Sequence, residues 1–152
     1  MNDDLFNIAS DCEIVTTRVI KAPRETVFRA WTDPVILQSW WGPAGFTNTF
    51  HEFNPVPGGK WRFTMHGPER GNYPNECIFL RVEEPSSIVW DRISKPHFRV
   101  VTTFEEVAGS KTELTFKMQF DSKEACDKIR PFAAEKNEEN FDKLEVELAK
   151  ML

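Results

Sequence analysis

The sequence lacks the usual marks of a membrane protein, a nucleic-acid binder or a disulfide scaffold. No apolar run approaches the ~20 residues that a bilayer-spanning helix requires. Its 19 lysines and arginines are scattered among 24 acidic residues, for a net charge of −5. Displacing counterions from phosphates needs a clustered basic footprint, so nucleic acid is not expected as a partner. The three cysteines, Cys12, Cys77 and Cys126, are odd in number and far apart. That fits neither a disulfide framework nor a zinc site, and they read as small, reduced, mostly buried side chains. Asp3 and Asp4 stand where a secretory signal would carry positive charge, so the expected location is the cytoplasm.

Catalytic motifs are missing as well. There is no Gly-x-Ser-x-Gly elbow, no His-Glu-x-x-His and no Cys-x-x-Cys. Pro57-Gly58-Gly59-Lys60 lacks the upstream glycine of a phosphate loop and is followed by Trp61 where Ser or Thr would stand. Its glycines read as turn residues. His51, His66 and His97 fall on different expected strands or loops, so no metal site, no cofactor and no catalytic residue is assigned.

The chain is instead rich in large flat side chains, with 13 phenylalanines and 5 tryptophans. A chain of 152 residues reads as one domain, residues 1–152, burying roughly 70% of its unfolded surface, with residues 1–11 as a loose N-terminus. The most informative stretch sets Trp40-Trp41-Gly42-Pro43 ahead of Pro57-Gly58-Gly59-Lys60-Trp61-Arg62-Phe63 and His66-Gly67-Pro68. Two adjacent tryptophans cannot share one face of a strand. At least one ring must therefore pack under a loop or line an opening.

Periodicity supplies the elements. Glu13 to Ile20 is β-branched and reads as a strand, and Pro23 opens a helix running to about Trp31. Asp33 is placed to cap a second short helix through Val35, Ile36 and Leu37. Period-two alternation then predicts strands at 46–53, 60–66, 77–83, 87–92, 98–105 and 112–120. Trp61, Phe63 and Met65 share one strand face, as do Leu114, Phe116, Met118 and Phe120. The C-terminal part is helical from near Ser122. Pro131 is expected to begin a separate, longer helix carrying Phe141, Leu144, Leu148 and Met151 on one face. The order predicts an α+β layout, with helices on one face of a curved antiparallel sheet. A straight helix touches a curved sheet along part of its length only, which leaves room for an apolar cavity.

At this point the chain resembles the activator of heat-shock protein 90 ATPase-like family, within the START-like or Bet v 1-like (SRPBCC) helix-grip superfamily. The resemblance is carried by Val19-Ile20-Lys21-Ala22-Pro23 with Val27-Phe28-Arg29-Ala30-Trp31, by Trp40-Trp41-Gly42-Pro43, by Pro57-Gly58-Gly59 with Trp61-Arg62-Phe63, and by Glu84-Pro85. Met65-His66-Gly67-Pro68 and the stretch from Asn137 to Leu144 resemble one bacterial branch of small proteins of undefined role. The resemblance implies a helix-grip fold: a sheet wrapped around the C-terminal helix, two short helices after the first strand, and a cavity for hydrophobic molecules. Asn54-Pro55-Val56 and Lys136 depart from the family's usual acidic, basic and glycine positions.

A binding protein for a small hydrophobic or aromatic molecule is the favoured function. Its expected lining is Trp40, Trp41, Phe46, Trp61, Phe63, Met65, Trp90, Phe104, Phe116, Met118, Phe132 and Phe141, which is also the predicted core. Arg62, His66, Tyr73 and Glu76 form one polar cluster, and Asp91 with Arg92 a second. On a solvated sheet face such pairs contribute under about 1 kcal/mol. Pointed into an apolar cavity, one of them would orient a ligand or act as a general acid or base. Two further classes stay open: an enzyme of cyclase or hydrolase type using the same cavity, and a co-chaperone stimulating the heat-shock protein 90 ATPase. As partners, a second copy of the chain and a chaperone are carried beside the small molecule.

Overall fold

The computed structural model describes residues 12–151. Seven strands form one antiparallel sheet, and three helices cover one face. The elements are β1 (Glu13–Ile20), α1 (Arg24–Thr32), α2 (Pro34–Trp40), β2 (Thr47–Phe53), β3 (Lys60–His66), β4 (Asn72–Glu83), β5 (Ser87–Arg92), β6 (Phe98–Val107), β7 (Lys111–Gln119) and α3 (Lys123–Met151). Strand order is β1-β7-β6-β5-β4-β3-β2, so the chain's first strand closes against its last. The α+β helix-grip arrangement expected from the sequence is what forms.

Local chemistry accounts for the entry to the sheet. Asp33 ends α1 and accepts a hydrogen bond from the Val35 N–H at 3.0 Å, so one residue stops a helix and caps the next. In the β2–β3 connection a Cβ on Gly59 would overlap the Asn54 carbonyl oxygen, so only glycine fits the turn.

β2 and β7 are shifted by one residue from the sequence reading, and three differences are larger. β4 begins at Asn72 rather than 77, because Tyr73, Pro74 and Asn75 already pair with β3. Pro74 is tolerated there because β5 reaches only to Cys77, leaving that length of β4 unpaired on its other side. β6 runs on to Val107, which pairs with Lys111 across a tight turn holding Gly109 and Ser110 at positive φ.

The third difference is larger. α3 is one continuous helix of 29 residues with Pro131 inside it, where two helices were expected. A proline in a helix interior costs about 3 kcal/mol in lost hydrogen bonding and steric conflict. Cys126 and Ala133, on either side of it, are both buried in the same core, so packing keeps the helix continuous through the proline.

The core lies between the inner sheet face and the helices. Trp31 of α1 is its centre, with ring centroids of Trp40, Trp41, Trp90, Phe104, Phe116 and Phe141 all within 6.3 Å. Its indole is 2% exposed. Several aromatic pairs here meet edge to face, the arrangement that the ring quadrupole favours.

Candidate functional site

Period-two alternation places a row of residues on the inner face at one end of the sheet. On β5 the inward row is Ile88, Trp90, Arg92; on β4 it is Asn75, Cys77, Phe79; on β6 it is Phe98, Val100. Antiparallel register aligns Trp61 with Cys77, Cys77 with Arg92, and Arg92 with Phe98. The same rows that form the aromatic core thus end in polar groups at the sheet's mouth.

Above this mouth sits the two-tryptophan loop. Trp40 turns fully into the core and its indole N–H donates to the Ala30 carbonyl at 3.0 Å. Trp41 is half-buried, its ring edge-on to Trp40 and Trp31 and also against Trp61 and Trp90. Gly42 follows at φ +99°, and a Cβ there would run into the Met65 methyl. α3 pins the loop from one side. The Gly42 N–H donates to Asn140 Oδ1 (3.1 Å), and the Ala44 N–H to Glu139 Oε1 (3.1 Å). Lys143 Nζ donates to the Pro43 and Phe46 carbonyls at 3.3 and 3.1 Å. Burial lowers the Lys143 pKa, the direction expected for an ammonium held among carbonyls and away from water.

Sheet, loop and α3 border a half-open pocket of about 150 Å³. Its apolar wall is Trp41, Trp61, Phe63, Met65, Trp90, Phe98, Val100, Phe116 and Met118, with Gly42 and Pro43 at the rim. The polar part is Asn75, Cys77 and Arg92 from the sheet, and Lys136, Asn137 and Asn140 from α3. Asn137 Nδ2 lies 3.3 Å from Thr16 Oγ1 and 3.6 Å from the Met118 sulfur. Burial pushes the Cys77 thiol up to about 12, although nearby Arg92 pulls the other way. The sulfur is therefore a neutral thiol near pH 7, with little nucleophilic character.

Seven residues of the expected lining meet in this pocket: Trp41, Trp61, Phe63, Met65, Trp90, Phe116 and Met118. Trp40, Phe104 and Phe141 lie in the solid core behind it. Phe46 packs on Tyr73, outside the pocket, with ring centroids 6.0 Å apart. Phe132 is misplaced by the sequence reading: it is 65% exposed, because one residue of helix turns it about 100° from buried Ala133.

The expected polar cluster does not enter the pocket. Arg62 faces outward toward Glu52 (3.6 Å), and Glu76 toward Lys60 (4.0 Å). The His66 ring bridges Thr49 Oγ1 and Asn72 Oδ1, at 2.8 and 2.7 Å. Tyr73 is half exposed beside the loop. The second polar pair divides. Asp91 points outward to Arg99 at 2.7 Å, while Arg92 points inward. Alternation from Trp90 was the signal that could have separated them. Asn75, Asn137 and Asn140 were also missed; on α3 the apolar positions drew attention to the core face alone.

Fold and pocket together define a START-like, helix-grip protein. The chain belongs to the family of Activator of Hsp90 ATPase homolog 1-like proteins, whose model matches residues 21–149. Among solved structures it is similar to a protein of Rhodobacter sphaeroides at 25% identity and TM-score 0.86, covering 96% of this chain and 98% of that one. A protein of Nitrosomonas europaea aligns at 19% identity and TM-score 0.87, covering 96% and 99%. One of Staphylococcus epidermidis aligns at 24% and 0.82, covering 95% and 93%. No curated protein matches the chain. Among the described residues, no helix is long and apolar enough to cross a membrane.

Proposed function

We propose that the protein binds a small hydrophobic or aromatic molecule in the pocket between the sheet, the two-tryptophan loop and α3. It acts as a carrier or sensor, as one ligand-binding domain working in the cytoplasm. The observation that carries this reading is the wall of large rings around an unfilled space of about 150 Å³. A space of about that volume holds a molecule the size of benzene. Binding is favoured over turnover by the wall's chemistry. Among its residues there is no histidine and no carboxylate to serve as general base, and the one thiol is held neutral. The family's name describes an activator of a chaperone ATPase. That activity is the alternative, since among the described residues no surface feature singles out such a partner.

The test is a thermal-shift screen of the intact chain against neutral apolar and aromatic molecules. A ligand at a hundredfold over its Kd adds about 2.7 kcal/mol, which moves the midpoint of a domain this size by roughly 5–10 °C. A saturable shift that Trp41→Ala and Met118→Ala abolish is the expected result. No shift across a broad panel would overturn the reading and leave the chaperone as the partner to try, by ATPase stimulation.

A further inference from the structure

The charged groups in the pocket wall are both cations, Arg92 and Lys136, in a protein whose net charge is −5. Neither forms an ion pair among the described residues. Arg92 spends its donors on neutral acceptors: Nε on Asn75 Oδ1 (2.9 Å), and Nη1 on the Ser94 and Pro96 carbonyls (2.9 and 2.8 Å). Its Nη2 makes no hydrogen bond among the described residues. The neighbouring acid, Asp91, is on the other face and held by Arg99. Cys77, across the ladder, supplies no negative charge while its thiol stays protonated. Burial lowers the Arg92 pKa, as it must for a cation taken from water with no carboxylate in return.

The unused hydrogen-bonding capacity of the pocket is mostly of one kind. Asn140 commits its Oδ1 to the loop and leaves its amide N–H₂ without a partner among the described residues. A buried donor without an acceptor is unfavourable, and a half-buried guanidinium without a counter-ion more so. Both are relieved by one kind of occupant.

Resting on the pocket reading above, we infer that the ligand is an amphipathic carboxylate. Its small apolar body, a single ring or a short alkyl chain, lies against Trp61, Trp90 and Phe116, and its acid group meets Arg92 and Lys136. The planar guanidinium suits a carboxylate, and Lys136 at the exposed end of the pocket adds charge without fixed geometry. The pocket volume of about 150 Å³ accommodates a body of about the size of a benzene ring.

The experiment is isothermal titration calorimetry on the intact chain with 3-phenylpropionate and hexanoate, each against its primary amide. The carboxylates are expected to bind at least tenfold more tightly than the amides, with the advantage shrinking as salt is raised. Arg92→Gln is expected to bring the ratio close to one, and Lys136→Gln to reduce it about threefold. Should Arg92→Gln fail to fold, Lys136→Gln and the wild-type ratio decide. Amides that bind as tightly as carboxylates would overturn the anion assignment and leave the pocket reading standing. Absence of binding by all four probes, with no response to neutral molecules in the thermal screen, would overturn both.

Discussion

Arg18 and Arg92 are both inserted against the helix-covered side of the molecule, yet among the described residues one is saturated with acid and the other has none. Arg18, on the edge strand β1, meets Glu138 (2.6 Å), Glu145 (2.7 Å) and Asp142 (2.9 Å) along one side of α3. Its guanidinium also lies 5.9 Å from the Phe141 ring centre. Partial burial acts to lower its pKa, and the three carboxylates outweigh that and raise it. Arg92, at the other end of the inner face, has rings, amides and carbonyls around it. The difference separates a clamp from a cation held by neutral acceptors. Where the fold needs to hold β1 on α3 the counter-charges are built in, and at the pocket they are left out.

The two regions should respond differently to mutation. The largest effect is expected from Trp31→Ala, which removes the buried ring that six others surround. Urea denaturation should show a loss of about 3–5 kcal/mol. Trp41→Ala, at the half-buried pocket wall, should cost clearly less. Equal losses would mean that the pocket is as tightly filled as the core.

The thiol at the pocket floor gives a second contrast, read through pH. Cys77 titrates at about 12 in the folded protein against 9.0 for the unperturbed thiol, with burial the main cause and Glu76 and Asp91 adding to it. The folded state therefore keeps its proton when the unfolded chain has lost it. The contribution is fully present below about pH 9 and is lost as pH rises toward 12. The slope is at most about 1.4 kcal/mol per pH unit. Cys77→Ala should lose less stability than wild type over that window. Identical alkaline profiles would show the pocket floor to be wet.

Arg18→Met should come next in size, at about 1–2 kcal/mol, since three partly exposed carboxylates lose their shared partner while the stem's packing is kept. High salt should shrink the difference from wild type. Lys136→Gln should change stability by less than about 0.5 kcal/mol, because the side chain is exposed and makes no ion pair among the described residues. A larger loss would give Lys136 a structural role and weaken the contrast with Arg18.

Much of this architecture could be read before the structure. β3 and β5 occupy the residues that alternation assigned to them, and Asp33 caps the helix it was expected to cap. These features are local, governed by side-chain direction and by one hydrogen bond. Failure came where distant packing overrode a local rule. Pro131 stays inside α3 because Cys126 and Ala133 are held by the sheet, which nothing near Pro131 announces. The site divides in the same way. The aromatic wall was visible in the strand rows, whereas Arg62, His66 and Glu76 drew attention by chemistry and lie on the other face. Arg92 was legible in principle, two residues beyond Trp90. Asn137 and Asn140 depend on how α3 lies against the loop, and only the assembled fold shows that.

The most direct measurement follows the five tryptophan indole N–H signals by two-dimensional ¹⁵N–¹H NMR while 3-phenylpropionate is added. The account predicts a saturable movement of the Trp61 and Trp41 signals. The Trp40 signal, hydrogen-bonded to the Ala30 carbonyl, should stay nearly still. Indole signals that all remain in place while the backbone near His66 and Glu76 responds would contradict it, and would put binding on the outer face of the sheet.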